Sequence, residues 1–197
     1  MGLAPTESQL SLLGRYAKAL RERNRQVNLV SRKDVGRILS YHVLDSLAAA
    51  SLVPTDSRVV DIGTGAGLPG IPLAICRPDV TLFLVESIAK KARFLEHAVA
   101  ELGLTNVHVI HARAEAIEPL SCRVALSRLT GELTVCLGWL ARHCATDGSI
   151  VLWKSPGTAG ADAQLLSRHG VRVQEARDIV LPVTGIPRRF VVLVRQI

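Results

Sequence analysis

A glycine-rich segment directly after an apolar run is the part of this chain best suited to bind a ligand. Residues 59–70 read Val-Val-Asp-Ile-Gly-Thr-Gly-Ala-Gly-Leu-Pro-Gly, so Gly63 and Gly65 follow an apolar run that contains Asp61. Glycine lets the backbone turn sharply and leaves room for a ligand, because it has no Cβ. Such a turn between a strand and a helix is typical of a nucleotide-binding site.

An acidic residue follows at the distance expected for such a site. A second apolar run, residues 82–85, ends in Glu86, about twenty residues after the glycines. A carboxylate at this position can accept hydrogen bonds from both hydroxyl groups of a ribose. The two features together predict a site for an adenosine-containing cofactor.

The glycine segment also indicates which cofactor. Residues 65–70 satisfy the G-x-G-x-x-G pattern of NAD-binding proteins, but Asp61 extends the pattern to Asp-x-Gly-x-Gly-x-Gly, the usual S-adenosylmethionine loop. Pro69 removes a backbone N–H where a pyrophosphate would need one. No second, substrate-sized domain is expected in a chain of 197 residues. These features favour S-adenosylmethionine, with NAD and an oxidoreductase activity as an alternative.

Apolar periodicity predicts helices in the first quarter of the chain. Leu10, Leu13, Ala17 and Leu20 form one apolar stripe of a helix over 7–26, which a capping box of Thr6 and Gln9 could start. Residues 33–52 predict one or two more helices, with Ser31 and Asp34 as a second candidate capping box.

After residue 56, short apolar runs alternate with helical stretches. Strands are predicted at 58–62, 81–86, 106–110, 123–127, 149–153, 171–181 and 189–196, and helices at 70–76, 88–102, 132–143 and 161–168. This alternation is typical of an α/β fold with a mostly parallel sheet. The last two strands are too close in sequence for a helical crossover, so the last strand should be antiparallel. We therefore expect a Rossmann-like class I S-adenosylmethionine-dependent methyltransferase domain over 56–197, preceded by an N-terminal helical extension over 1–55.

Composition and charge limit the kinds of binding partner and the cellular location that can be expected for this chain. Lys and Arg number 24 against 17 Asp and Glu, a formal charge of +7, which fits either a polyanion partner or a generic basic surface. No apolar run reaches the roughly 18–20 residues of a membrane span, and residues 1–9 lack a signal pattern, so a cytoplasmic protein is expected. The four cysteines have no metal-binding spacing and are predicted to be buried, reduced thiols, with no metal site.

Several motifs occur together in one order along the chain. They are Asn28-Leu29, His42-Val-Leu-Asp45-Ser46, the segment Asp61 to Pro72, Val85-Glu86-Ser87-x-x-Lys90-Lys91-x-Arg93-Phe94-Leu95, Arg113-Ala-Glu115 and Ser127-Arg128. From about residue 8 to its end, the chain resembles the small-subunit (16S) ribosomal RNA guanine-N7 methyltransferases, the RsmG or GidB family. The resemblance implies S-adenosyl-L-methionine as cofactor and 16S ribosomal RNA as partner, either free or within the small ribosomal subunit.

The resemblance also implies roles for individual residues. Besides Gly65 and Glu86 of the loop and second strand, the cofactor-contacting positions of the family fall on Gly63, Leu68, Ala114, Glu115 and Arg128. The basic positions around its RNA pocket fall on Lys90, Lys91, Arg113, Lys154 and Arg189. The chain departs from the family at three places: Glu86 stands for the usual Asp, Leu129 for Ala, and Ser155 for the Gly after Lys154.

Methylation of guanine N7 sets its own chemical demands. N7 has a lone pair and no proton, so no general base, and hence no acid–base catalytic residue, is predicted; positioning and electrostatics should supply the rate. A cation about 4 Å from the ring, which becomes positive, would be repelled by roughly 4 kcal/mol at an effective dielectric constant near 20. We therefore expect Arg128 and Lys154 to hold a phosphate, the guanine O6 or the cofactor carboxylate. A methyltransferase acting on another RNA, a protein or a small molecule and a non-catalytic RNA-binding module remain as alternatives.

Overall fold

Seven strands form one sheet in the computed structural model, which describes residues 3–128, 133–157 and 162–196. The strands are β1 (Arg58–Ile62), β2 (Thr81–Glu86), β3 (Val107–His111), β4 (Cys122–Ser127), β5 (Cys144–Lys154), β6 (Val171–Val180) and β7 (Pro187–Arg195). Their order in the sheet is β3-β2-β1-β4-β5-β7-β6. Successive strands are thus added on one side of β1 up to β3 and on its other side from β4 onward, and the carboxyl ends of β1 and β4 flank a crevice of the kind where α/β proteins bind ligands.

The directions of the strands confirm the predicted sheet. Strands β1 to β5 pair in parallel, whereas β7 pairs antiparallel with both β5 and β6. A short connection joins β6 to β7, and the Leu181 N–H donates to the Ile186 carbonyl across it at 2.8 Å. The start of β7 therefore lies at the same edge of the sheet as the end of β5.

The helices lie on both faces of this sheet. They are α1 (Glu7–Arg23), α2 (Leu44–Leu47), α3 (Gly70–Cys76), α4 (Ala89–Leu102), α5 (Leu133–His143) and α6 (Ala163–Arg168), with short 3-10 or π segments at Arg32–Arg37, Ile38–Val43, Ala50–Leu52 and Ala114–Ala116. Positions 129, 132 and 161 of the sequence predictions lie outside the described residues. No helix in the described ranges combines the length and the apolar character that crossing a membrane requires.

The N-terminal region is only partly as predicted. The capping box of α1 is confirmed, because Thr6 and Gln9 exchange their side-chain and backbone hydrogen bonds. The second capping box is wrong: Ser31 makes no capping bond, and the Asp34 carboxylate accepts the Arg37 guanidinium at 2.7 Å instead. Residues 32–52 consequently form a chain of short helical turns rather than one or two regular helices.

Helix α1 belongs to the main hydrophobic core. Leu13 and Leu20 lie in the same buried cluster as Ile71 of α3 and Leu95 of α4, on one face of the sheet. On the other face, a second cluster joins α5 and α6 to β5 and β7. The division of the chain at residues 55 and 56 stays a prediction.

Two long-range hydrogen bonds fix the direction of α1. Gln9 Nε2 donates to the Ile75 carbonyl at the end of α3, and Tyr16 Oη donates to the Ala66 carbonyl in the glycine segment at 2.7 Å. Because α3 starts at the glycine segment and runs away from it, α1 runs back toward the carboxyl edge of the sheet. Tyr16 is fully buried, so this bond has no competition from water.

Replacement of Tyr16 tests this anchor. Tyr16→Phe leaves the buried Ala66 carbonyl without its donor, so the free energy of unfolding should fall by about 1–3 kcal/mol in urea denaturation. Leu10→Ala on the same helix is the control, because Leu10 is 56% exposed and should cost no more than about 0.5 kcal/mol. Equal unfolding free energies for Tyr16→Phe and the unmodified protein would contradict the assignment.

Candidate active site

The glycine turn after β1 has a backbone that other residues cannot adopt easily. Gly63, Gly65 and Gly67 have φ angles of 67°, 61° and 87°, in the left-handed region that favours glycine. A Cβ on Gly67 would approach Ile71 Cδ1 to 2.5 Å, so the turn also packs too closely for a side chain there. The turn therefore presents bare backbone at the carboxyl end of β1, as the sequence predicted.

The buried Asp61 carboxylate stabilises the turn through two hydrogen bonds. Its Oδ2 accepts hydrogen bonds from Thr64 Oγ1 at 2.7 Å and from the Gly70 N–H at 2.9 Å. Its Oδ1 is buried and has no hydrogen-bond partner within the described residues. Burial raises the pKa of Asp61 to about 6, and the bonds from Thr64 and Gly70 act in the opposite direction. A buried carboxylate oxygen without a donor fits a cationic or hydrogen-bonding group of a ligand.

Glu86 bridges the turn to the next helix. Its Oε2 accepts the Gly65 N–H at 2.9 Å, and its Oε1 accepts the Ile88 N–H at 2.8 Å. The residue is buried at the end of β2. Each carboxylate oxygen has a further lone pair, so Glu86 can accept two more hydrogen bonds, the number that the two hydroxyls of a ribose would donate.

A cavity opens beside these carboxylates at the ends of β1, β2 and β3. Gly63, Ala114 and Glu115 line it, together with Val85 and Trp139. Three residues predicted to contact the cofactor thus meet in one cavity. Trp139, half-buried on α5, was missed because its neighbours in sequence indicate only an apolar helix.

His143 fixes the segment that carries Ala114 and Glu115. The Leu120 N–H donates to its Nδ1 at 3.3 Å, so Nε2 carries the proton and donates to the Ala114 carbonyl at 2.8 Å. His143 is completely buried, and burial lowers its pKa. This neutral histidine is a positioning residue, and no motif or spacing in the sequence singles it out.

Leu68 and Arg128 complete the predicted cofactor residues, but their side chains lie elsewhere. Leu68 is buried in the core beneath the turn. Arg128, at the end of β4, donates to the His42 carbonyl at 3.3 Å and to Ser46 Oγ at 3.2 Å, and its Nη2 lies 3.1 Å from Asp45 Oδ2. Arg128 therefore connects the edge of the sheet to the N-terminal helical turns.

Asp45 collects contacts from three strands. Besides Arg128, its carboxylate accepts Arg188 Nε of β7 at 2.8 Å, and its backbone carbonyl accepts Trp153 Nε1 of β5 at 3.2 Å. Asp45 is 2% exposed, so water hardly screens its charge. The two arginines supply the positive charge that a buried carboxylate requires. The motif His42-x-x-Asp45-Ser46 carried the family resemblance, but its sequence gave no sign of these distant partners.

The predicted RNA-binding residues form two groups on either side of the glycine turn. Lys90 and Lys91 start α4 after β2, and Arg113 follows β3, where it lies 3.7 Å from Glu115. Lys154 and Arg189 are register partners on β5 and β7. Asp178 of β6 accepts both Nε and Nη2 of Arg189, at 2.8 and 2.6 Å, and so offsets the positive charge of this arginine.

Metal-binding clusters and disulfides do not contribute to the described part of the site. No group of three or more His, Cys, Asp or Glu side chains in that part could hold a metal ion. The four cysteines are buried, as predicted, with free thiols.

The His42 imidazole gives the network a pH dependence. Burial, together with the charge of Arg128, lowers its pKa to about 4, although Asp34 and Asp45 act in the opposite direction. In the unfolded chain, His42 takes up a proton near pH 6.5, so its contribution to stability decreases as the pH falls from 6.5 toward 4.

Replacement of His42 isolates this contribution. The unfolding free energy of the unmodified protein minus that of His42→Gln should be about 1–2 kcal/mol larger at pH 7 than at pH 5, as measured by urea denaturation. The opposite pH dependence of Asp61 is common to both proteins and cancels in the difference. A difference that is the same at both pH values would contradict a neutral, buried His42.

Comparisons with known proteins agree with this geometry. A family model described as rRNA small subunit methyltransferase G matches residues 9–188. The ribosomal RNA small subunit methyltransferase G of Laribacter hongkongensis is 45% identical over 149 residues, which cover 75% of this chain and 71% of that protein. The protein of the same name from Chromobacterium violaceum is 38% identical over 199 residues, covering 100% of this chain and 93% of that protein.

Solved structures show the same fold at low identity. A SAM-dependent methyltransferase from Aquifex aeolicus has a TM-score of 0.61 and 16% identity, covering 90% of this chain and 97% of that chain. A mutant of MtNAS in complex with S-adenosylmethionine has a TM-score of 0.64 and 22% identity, covering 95% of this chain and 73% of that chain. The predicted class I S-adenosylmethionine-dependent methyltransferase fold is thereby confirmed.

The family assignment rests on the sequence matches, which run through both the N-terminal helical turns and the sheet. The motifs from Asn28-Leu29 to Ser127-Arg128 all fall within residues 9–188. The chain belongs to the rRNA small subunit methyltransferase G (GidB) family.

Proposed function

We propose that this protein transfers a methyl group from S-adenosyl-L-methionine to the N7 atom of one guanine in 16S ribosomal RNA. Membership of the family supports a ribosomal RNA substrate. The observation that carries the proposal is the glycine turn held between two buried carboxylates, with Asp61 Oδ1 lacking a partner among the described residues. NAD binding and a non-catalytic RNA-binding module find no support in the family or the fold.

The residues around the turn fit S-adenosylmethionine. The Asp61 carboxylate, buried beside the turn, would favour the cofactor's positive charge, and the ribose hydroxyls would bind the remaining lone pairs of Glu86. Gly63 and Gly65 give it access to bare backbone, and Ala114, Glu115 and Trp139 would enclose its adenine. When bound, the cofactor supplies an electrophilic methyl group on a sulfonium centre.

Leu68 and Arg128 take supporting roles in this proposal. The Leu68 side chain anchors the glycine turn in the core. Asp45, Ser46 and His42 already contact the Nη1 and Nη2 atoms of Arg128, so only its remaining N–H groups could face a bound cofactor. We therefore expect Arg128 to orient the substrate side of the site rather than to hold the adenosine.

The two groups of cations would hold the RNA backbone on both sides of the target guanine. From β3, which precedes Arg113, to β7, which carries Arg189, the sheet has five interstrand steps, or about 24 Å. Lys90 and Lys91 lie on the β3 side of the turn, and Lys154 lies on the β7 side. RNA bound along this edge would place a base over the crevice between β1 and β4.

The charge distribution suits attack by a neutral nitrogen. Guanine N7 loses no proton on methylation, so the site needs no general base and no metal ion. The positive charge that develops on the ring would be repelled by an unpaired arginine at the crevice. The Asp45 carboxylate, which Arg128 and Arg188 share, offsets part of the arginine charge and so supports the proposed chemistry.

Two further assignments belong to the same proposal. The protein acts in the cytoplasm, on free 16S ribosomal RNA or on the small subunit that contains it. Residues 1–55 form a helical extension and residues 56–197 the methyltransferase domain, although α1 shares the core of that domain.

Methylation in vitro tests the proposed reaction. Purified protein should transfer a labelled methyl group from S-adenosylmethionine to either deproteinised 16S ribosomal RNA or purified small subunits. Nuclease digestion and mass spectrometry should then identify N7-methylguanosine at a single position. Methylation of another atom, or none on either substrate, would overturn the proposal.

Replacement of Gly63 tests the cofactor site. Gly63→Val places a branched side chain at a left-handed φ beside the cavity, so affinity for S-adenosylhomocysteine should fall at least about tenfold in calorimetry. Gly103→Val is the matched control: its φ is 66°, with no other atom within 4 Å of its Cβ position, and it ends α4 away from the turn. Equal affinities for the two variants would place the cofactor elsewhere.

A further inference from the structure

A second basic surface lies outside the site described so far, in the N-terminal helical region. A groove between the end of α1 and the following 3-10 turn is lined by three arginines, Arg21, Arg25 and Arg32, and by the amides of Asn24, Gln26 and Asn28. No carboxylate lines it in the described structure. The neighbouring groove between α1 and α4 is different, because Glu22 and Glu101 lie among its cations.

The three arginines are available to a ligand. All three are exposed, and none of their guanidinium groups makes an ion pair or a side-chain hydrogen bond within residues 3–128, 133–157 and 162–196. Other arginines of this region are already engaged: Arg23 donates to Gln26 Oε1 at 2.7 Å, and Arg15 donates to the Glu101 carbonyl. The groove therefore concentrates cations that the protein itself does not neutralise.

The amide side chains add donors rather than acceptors. Asn24 Oδ1 accepts the Leu29 and Val30 N–H groups at 2.8 and 2.9 Å, and Gln26 Oε1 accepts Arg23. Both lone pairs of Asn24 Oδ1 and one of Gln26 Oε1 are thus occupied, while the amide nitrogens of these two residues are left to donate. A groove with three guanidinium groups and free N–H donors fits the oxygens of phosphate groups.

The position of the groove connects it to the proposed reaction. Helix α1 runs toward the carboxyl edge of the sheet, and Tyr16 contacts the glycine turn. Arg21 lies five residues further along the helix, or about 7–8 Å beyond that contact. The groove therefore lies past the turn, at the edge of the sheet that carries the proposed cofactor site.

From these observations, we propose that this N-terminal basic groove binds phosphates of the ribosomal RNA backbone away from the target guanine. The inference rests on the proposed function, because it takes the RNA substrate as the occupant of the groove. The groove adds a second contact to those of Lys90, Lys91, Arg113, Lys154 and Arg189. It makes the N-terminal turns part of substrate recognition.

A triple variant tests the groove. In Arg21→Gln/Arg25→Gln/Arg32→Gln, the slope of log affinity for 16S ribosomal RNA against log salt concentration should decrease in magnitude by roughly 2–3, at about 0.7–0.9 for each lost phosphate contact. Affinity at moderate salt should fall about tenfold or more, and the KM for RNA should rise correspondingly. The kcat at saturating RNA and the affinity for S-adenosylhomocysteine should stay within about twofold.

The matched control removes the same charge from the far side of the sheet. Arg142, Arg168 and Arg172 are exposed on α5, α6 and β6 and form no ion pair within the described residues, so Arg142→Gln/Arg168→Gln/Arg172→Gln should change the salt slope by less than about 1. Thermal melting of both triple variants should match the unmodified protein, since exposed substitutions of this kind change stability little. Equal slope changes in both variants, or no change in the groove variant, would overturn the inference.

The same experiment separates the inference from the proposed function. Equilibrium binding to deproteinised 16S ribosomal RNA decides the groove, whether or not the RNA is methylated. Absence of methylation by the unmodified protein counts against the proposed function alone. If the groove variant bound deproteinised RNA normally but lost affinity for intact small subunits, the groove would contact a ribosomal protein and the RNA inference would fail.

Discussion

The site depends on two buried carboxylates that share one glycine turn. Asp61 binds Thr64 and Gly70 at the two ends of the turn, and Glu86 binds Gly65 at its centre. The glycines of this turn could adopt many backbone conformations, and these three hydrogen bonds hold them in one. Each carboxylate keeps hydrogen-bonding capacity in reserve, so the groups that shape the turn can also bind what it receives.

A third buried carboxylate, Asp45, joins parts of the chain that are far apart in sequence. Asp45 binds Arg128 and Arg188, and its carbonyl accepts Trp153, so the N-terminal turns, β4, β5 and β7 meet at one residue. Removing Asp45 would leave two part-buried arginines without their shared counter-charge in a site that water hardly reaches. The network also holds Arg128 at the crevice, where Asp45 offsets part of the charge of the two arginines.

The sequence predicted what depends on local pattern. The glycine turn, Asp61, Glu86 and the antiparallel last strand follow from spacing and turn chemistry, and the strand bounds at 58–62 and 81–86 match the structure. The side-chain pairs that form between distant parts of the chain could not be predicted. Arg128 finds Ser46 82 residues away, and Asp34 pairs with Arg37 rather than capping a helix. Such pairs form only once the sheet has brought the segments together. His143 was missed for the same reason, whereas Trp139 was missed because its neighbours in sequence indicate only an apolar helix.

The bond from Tyr16 to the glycine turn gives the first helix a share in the cofactor site. Detaching α1 would expose apolar residues of the core and remove a donor from the turn at the same time. The docking of the helix and the order of the turn are therefore thermodynamically linked, and linkage acts equally in both directions. A ligand that binds only the ordered turn would therefore also favour the docked helix, and a ligand that binds only the docked helix would favour the ordered turn.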